Sequence, residues 1–299
     1  ERRVLGLLTD RLVDWQLKGF IPNMPIPEEG AETDRLFRER GWTHWRHLFS
    51  PRQLLTNGLI ISAYEKEDKN IVAGLLGVGR VVDWNSKLCG WLQQKGNEKG
   101  NNTFNNQALN TIYNFSVRPI VKLDTSWFIF DQAEDCNCVN NKIDISDARH
   151  IEINNDIWIT DPPYADAVNY HELGDFFLAW YEKLLPKAFP EWIPDSRRAL
   201  AVRGTGEDFK HAMVEVYGNL TRHMSDKGFQ LVMFTHQDPS VWADLGMILW
   251  AAQLRVSAAW TIATETPTSG RKKGNYVQGT VLLVLRKRIE AGNAFLDEL

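Results

Sequence analysis

Apolar residues recur at helical spacing from the first residues of the chain. Val4, Leu7, Leu8, Leu12 and Trp15 share one helical face. A proline-containing loop follows from Ile21 to Gly30. The stretch "LFSPRQLLTNGLIISAY" then carries a helix start. Ser50 suits the N-cap, Pro51 the first helical position, and Gln53 completes a capping box. Phe49 and Leu54 stand at hydrophobic-staple positions. A helix is predicted from Pro51, and a second from Asn70 to Gln94. "GNEKGNNTFNNQ" (Gly96 to Gln107) clusters Asn and Gly and reads as a loop or linker. No internal repeat is visible.

From about Ser126 the pattern changes to strands alternating with helices. "SWFIFD" and "KIDIS" read as short strands, and "DIWIT" (Asp156 to Thr160) as a buried one. Leu173, Phe176, Phe177, Trp180, Tyr181, Leu184 and Leu185 make one helical stripe, stopped by Pro186. A further helix is predicted from near Asp208 to Ser225, with Phe209, Met213, Val216 and Leu220 inward and Gly228 ending it. "FQLVMFT" is a strand, and "SVWADLGMILWAA" a helix with Ser240 as its cap. "LRVSAAWTI" and "GTVLLVLR" are the last strands. The alternation predicts an α/β fold with a mainly parallel sheet and helices on both faces. No crossover helix fits between the last two strands, so that pair is expected to be antiparallel or separated by another strand. The expected organisation is a helical region over 1–120 and an α/β domain over 121–299.

Composition adds limits. The 299 residues are 43% hydrophobic and 24% charged, ordinary for a globular protein. No apolar run is long enough to span a membrane, and no signal peptide is visible, so a cytoplasmic location is expected. The first residue is Glu1, which suggests a processed or truncated piece. A net charge of −4 argues against a surface that grips nucleic acid everywhere, though not against a local basic patch. Cys89, Cys136 and Cys138 are too few and too oddly spaced for a zinc cage or disulfide framework, so no metal site is assigned. Twelve tryptophans point to core or interface burial.

The chemistry concentrates at "TDPPY". Pro163 holds Pro162 extended, both prolines fix their own φ, and the loop is stiff. Neither proline has an N–H to donate. Asp161 offers a carboxylate acceptor and Tyr164 a flat face for stacking. An exocyclic amine on a base is a poor nucleophile because its lone pair is delocalised into the ring. Two acceptors on its N–H groups would draw the nitrogen toward tetrahedral geometry and free that pair for attack on a methyl group. A ring beside it would hold a base that has left its stack, worth ~1–3 kcal/mol.

D-P-P-Y after a strand resembles motif IV of the amino-methyltransferases, which methylate adenine N6 or cytosine N4 with S-adenosyl-L-methionine. "RGWTHWRHLFSPRQLL" (Arg40 to Leu55), "VVDWNSKLCGW" (Val81 to Trp91), "TDPPYADAVNYHELGDFFLAWYEKLL" and "FTHQDPSVWADL" (Phe234 to Leu245) are similar to a family of adenine-specific DNA methylases. Long members of that family also carry a zinc ribbon. The likeness spans most of the chain and resembles the family's downstream portion. It implies a Rossmann-like methyltransferase sheet with helices on both faces, preceded by a helical region. It also implies methylation of DNA, with S-adenosyl-L-methionine as cofactor. Asp161 would accept from the target amine and the Pro162 carbonyl from its second N–H. Pro163 would hold the loop and Tyr164 stack on the base. Asp147, in "DAR", resembles the position that contacts the cofactor's adenine; a surface-loop acid is the alternative.

Such an enzyme also needs a glycine-rich F-x-G-x-G turn after its first strand. Gly77-Val78-Gly79 lies within a helical pattern, and Gly204-Thr205-Gly206 follows no clear strand. The chain is therefore expected to be the downstream half of a longer enzyme, partnered by its missing upstream part. His236, at a strand end, could line the base pocket or satisfy backbone groups. Asp175 could brace the motif loop or lie on a solvated helix face. Arg271, Lys272 and Lys273 could meet phosphate or be simply solvated. The rival readings are a non-catalytic methylase-like module that binds or recruits DNA, and a methyltransferase acting on RNA or a protein amide.

Overall fold

The computed structural model describes residues 2–28, 30, 33–64, 71–94, 97–100, 102–105, 108–109, 142–163, 170–192, 202, 206–262 and 279–288. Two compact units divide the chain: residues 1–144 with 168–199, and residues 145–167 with 200–299. The boundary expected after residue 120 falls outside the described residues. Residues 168–199, expected in the α/β part, belong instead to the first unit.

The first unit begins with α1 (Arg2–Lys18), α2 (Asp34–Arg40) and a 3-10 turn (Trp45–Leu48). It continues with α3 (Pro51–Tyr64), α4 (Ile71–Trp84) and the short strands β1 (Trp91–Gln94), β2 (Asn97–Gly100), β3 (Phe104–Asn105) and β4 (Ala108–Leu109). It is completed by α5 (Tyr170–Tyr181) and α6 (Leu185–Ala188). The capping box of α3 forms: the Ser50 N–H donates to Gln53 Oε1 at 2.8 Å, and the Gln53 N–H donates to Ser50 Oγ at 3.3 Å. The two staple residues, Phe49 and Leu54, are both buried. The α5 stripe supplies the centre of the core. Phe176 meets Trp45 edge-on at 6.0 Å and stacks on Phe49 at 5.8 Å, while Trp180 meets Phe49 at 5.0 Å. Gly79 is a packing residue of α4, because the Tyr181 hydroxyl occupies the place its Cβ would take.

The helix expected through Gln94 stops at Trp84, and the segment expected as a loop (Gly96 to Gln107) contains β2 and β3, which pair antiparallel with the flanking β1 and β4. A long-range polar knot ends the helix. The Asp83 carboxylate accepts from the N–H groups of Thr103 at 3.1 Å and Phe104 at 3.4 Å. Asn85 Nδ2 donates to Asn57 Oδ1 at 2.7 Å, and the Ser86 and Thr103 hydroxyls meet at 2.9 Å. Cys89 Sγ accepts from the Ser86 N–H at 3.2 Å, a structural role for that thiol.

The second unit contains a 3-10 turn (Ala148–His150), β5 (Asn155–Thr160), α7 (Glu207–Arg222), β6 (Met224–Phe234), α8 (Pro239–Ala251), β7 (Leu254–Ile262) and β8 (Thr280–Lys287). Among the described residues its four strands form one mixed sheet in the order β5-β6-β8-β7. β5 runs parallel to β6, whereas β8 is antiparallel to both β6 and β7. The antiparallel final pair agrees with the absence of room for a crossover helix. The mainly parallel sheet does not form among the described residues, where only one of the three pairings is parallel. "KIDIS" is irregular backbone rather than a strand, and "SWFIFD" lies outside the described residues.

Helices on both faces are also not seen among the described residues. Val232, Phe234, Leu283 and Leu285 share one core with Phe209, Met213 and Tyr217 of α7 and with Leu245 and Ile248 of α8. Strand alternation sends Ile157, Ile159 and Trp260 to the opposite face, where they are 50%, 64% and 60% exposed. Gly228 does not end a helix. It sits inside β6, beside the register shift in β5, where a Cβ would lie 2.5 Å from the Asp156 carbonyl oxygen. Val216 packs half-buried against the same core as expected, and Tyr217, not foreseen, is fully buried beside it. The cap of α8 is Asp238, whose carboxylate accepts from the Ser240 N–H at 2.8 Å. Among the described residues, no helix is long and apolar enough to cross a membrane.

Burial pushes the Asp83 carboxyl up to about 6, against an ordinary value of 3.8. The fold therefore favours its protonated form. That contribution is fully present below the ordinary value and is lost as pH rises through about 6. Denaturant titrations should show the wild-type chain losing about 3 kcal/mol across that window relative to Asp83→Asn, by the cost per pKa unit. Parallel pH profiles for the two chains would contradict the assignment.

Candidate functional site

The site begins with a strand register. β5 pairs in parallel with β6 so that Thr160 stands beside Val232. The carboxyl ends of the two strands therefore reach the same edge of the sheet, where open α/β sheets bind ligands. Asp161-Pro162-Pro163 leaves β5 there, and Thr235-His236 leaves β6 there. Asp161 is exposed, Pro162 is buried and Pro163 is half-buried. The strand end is anchored from below: Thr160 Oγ1 and Tyr217 Oη are 3.2 Å apart. Burial pushes the Tyr217 phenol up to about 12, opposed by the Thr160 hydrogen bond and helped by the nearby Asp161 carboxylate. Tyr217 is therefore a neutral anchor at physiological pH.

Pro163 and His236 border a cavity of about 270 Å³. Phe209 and Met213 of α7, Phe234 of β6, and Leu245 and Ile248 of α8 make its apolar wall. Lys210 and Asp244 stand at its rim as an ion pair at 2.9 Å that ties α7 to α8. Ligand pockets commonly hold about 300–1,000 Å³, and this one lies near the small end. It suits one flat heterocycle better than an extended nucleotide cofactor.

His236 is held rather than loose. Its Nδ1 accepts from the Asp238 N–H at 3.0 Å, which places the proton of the neutral ring on Nε2. Its carbonyl accepts from Trp242 Nε1 at 2.9 Å, and Trp242 meets Phe234 edge-on at 5.0 Å. The histidine satisfies a backbone group, one of the two roles expected for it, and it also borders the cavity.

Asp147 is elsewhere. Its carboxylate accepts from the Arg149 N–H at 3.0 Å and from Arg149 Nη2 at 2.7 Å, and the guanidinium holds it down to about 2. The turn that it caps is tied to the C-terminal part of α7, because Asn219 Nδ2 donates to the carbonyls of Ala148 at 3.0 Å and Ile151 at 2.9 Å. That is the starting end of β5, roughly 17 Å of strand away from Asp161. Asp147, expected either to contact the cofactor's adenine or to be a surface-loop acid, here caps a turn at the amino edge of the sheet. The physical reason is that no strand separates "DAR" from β5 at this place, so Asp147 stays at the amino edge of the sheet.

Tyr164 lies outside the described residues, as do Arg271, Lys272, Lys273, Cys136, Cys138, Gly204 and Thr205. Gly206 is described: it precedes α7 with φ of 94° and borders the cavity. Asp175 is buried in the first unit, not on a solvated helix face. Tyr217 and the Lys210–Asp244 pair were not foreseen. The four-residue spacing of Phe209, Met213 and Tyr217 was the available signal for the tyrosine.

No protein-family model matches the chain, and no curated protein or solved structure is significantly similar to it.

Tyr217→Phe removes the one described hydroxyl that anchors Thr160. Urea denaturation should show a loss of about 0.5–1.5 kcal/mol, the usual range for one such bond. An unchanged midpoint would mean that the anchor carries no weight.

Proposed function

We propose that this chain carries the base-side half of an S-adenosyl-L-methionine-dependent DNA amino-methyltransferase, with adenine N6 as target in preference to cytosine N4. In this reading the second unit is the corresponding part of a Rossmann-like methyltransferase sheet. One observation carries the reading: the D-P-P segment leaves a parallel strand at the edge where Pro163 and His236 border a small apolar cavity. An unpaired base fits such a place chemically. Its ring is flat and apolar on both faces, and its polar groups lie on its edge.

In the proposed reaction the base enters the cavity by its ring. Its exocyclic amine reaches Asp161, whose carboxylate accepts one N–H, while the Pro162 carbonyl accepts the other. The two acceptors localise the nitrogen lone pair, and the amine becomes nucleophilic. A methylated nitrogen would carry a proton in excess, and the Asp161 carboxylate is the group that would stand beside it to accept that proton. Two prolines in succession keep the acceptors in place before the base arrives, so little reorganisation opposes the step.

The described residues do not fit the cofactor. Asp147, the residue expected to contact it, is engaged by Arg149 at the far edge of the sheet, and Gly206 opens a helix rather than following a strand. S-adenosyl-L-methionine would supply the methyl group, and no contact to it is assigned to these residues.

Asp161→Ala should lower methyl transfer to DNA by about 10²–10³-fold, the usual loss when one preorganised polar group is removed from a transition state. Mass spectrometry of nucleosides after incubation of an enzyme that joins this chain to its cofactor-binding half with DNA and S-adenosyl-L-methionine gives the readout, with N6-methyladenine as the expected product. Wild-type transfer by the variant would reject the role. Methyl groups found on RNA or on a protein amide would reject the substrate.

A further inference from the structure

The described helices of the second unit cover one face of its sheet. α7 and α8 pack on the face that carries Val232 and Phe234 of β6 and Leu283 and Leu285 of β8. The residues between these face the other way. Strand register sorts that second face into three rows. In the first row Ile157 stands beside Phe229, and Arg286 beside Arg255. The Arg286 guanidinium lies 5.2 Å from the centroid of the Phe229 ring, which joins the two halves of the row. Ile159, Leu231, Val284 and Ala258 make the middle row. Met233, Leu282 and Trp260 make the third.

The face is therefore apolar with one cationic corner. Ile159 and Trp260, at its two sides, are 64% and 60% exposed. Parallel pairing such as that of β5 with β6 is typical of sheets covered on both faces, and an apolar face is stable when another layer packs on it. Three strand spacings span about 14 Å and two row spacings about 13 Å, room for a helix ~10 Å across. The corner decides the chemistry of that helix. Like charges directly opposite on neighbouring strands repel. Arg255 makes no hydrogen bond or ion pair with a described residue. Arg286 Nη1 donates to the carbonyls of Lys227 and Gly228, which are neutral. Asp226, next to Lys227 in the chain, pairs with Lys287 at 3.0 Å. The three rows hold no carboxylate, so a second copy laid face to face would add two arginines and relieve nothing.

The geometry points to a docking surface for an amphipathic helix of a protein partner, apolar along one stripe and acidic at the end that overlies Arg255 and Arg286. The stripe removes the aliphatic rows and the Trp260 ring from water, which drives association. The carboxylates relieve the repulsion between the two guanidinium groups and fix the direction in which the helix lies, because charge complementarity sets register more than raw affinity. Arg255 opens β7, which runs parallel to β5, so the corner and Asp161 stand at opposite edges of the sheet. The inference is independent of the reaction proposed above.

The test measures anisotropy of two fluorescein-labelled synthetic helical peptides with the full chain. Each has about 18 residues, enough to cross the face at ~1.5 Å per residue, and leucines at helical spacing. One carries glutamates in its last turn, the other lysines. The wild-type chain should bind the glutamate peptide at least about tenfold more tightly than the lysine peptide, and added salt should narrow the difference. Arg255→Glu/Arg286→Glu should reverse the preference. Arg255→Glu alone, at an exposed edge-strand position, should shrink it and decides the same question if the double variant does not fold. Trp260→Ser should weaken both peptides while leaving the preference in place. Asp161→Ala should bind both peptides as wild type does, so loss of methyl transfer and loss of docking separate the two proposals. Equal affinity for the two peptides would overturn the proposal, as would no binding of either or an unchanged preference in a folded charge-reversed chain. Displacement of the glutamate peptide by unlabelled oligothymidylate would also overturn it, because the face would then serve single-stranded nucleic acid.

Discussion

The parallel pairing of β5 with β6 is the constraint on which the site depends. Parallel strands end at the same edge, so a register that sets Thr160 beside Val232 brings the loops after both strands together. α7 and α8 then pack on one face of these strands, and the space between their side chains at that edge becomes the cavity. A slip of one residue would turn Trp158 and Thr160 to the other face. It would also detach Thr160 from Tyr217 and move Pro163 away from the cavity rim.

Rigidity is the second theme of that edge. Pro162 and Pro163 fix their own φ, Tyr217 anchors the preceding residue, and Asp238 and Trp242 hold the His236 loop by two hydrogen bonds. Acceptors that must draw an amine out of planarity act best when they do not move during the reaction.

Features legible in the sequence were those decided by near neighbours. The Ser50–Gln53 box lies within three residues, and the aromatic stripe of α5 follows from helical spacing alone. The presence of the strand before Asp161, though not its burial, and the antiparallel final pair were likewise readable, the latter because the loop before β8 has no pattern for a crossover helix. Distant partners hid the rest. α4 ends at Trp84 because Thr103 returns to Asp83, a contact that no local pattern announces. Asp147 was read as a cofactor contact from the likeness of "DAR" to a family segment, whereas the position of its turn is decided by Asn219 of α7. The mixed character of the sheet depends on β8 inserting between β6 and β7, which is a choice of pairing rather than of propensity.

The central claim is that an unpaired purine occupies the cavity beside Pro163 and His236. Methyl-labelled Met213 and Ile248 report on its wall directly by nuclear magnetic resonance. Oligonucleotides carrying one unpaired adenine should shift both methyl signals through the ring current, whereas the same oligonucleotides with an abasic position should leave them in place. Signals that remain unmoved by the adenine strand at saturating concentration, or that move equally with the abasic strand, would contradict the account.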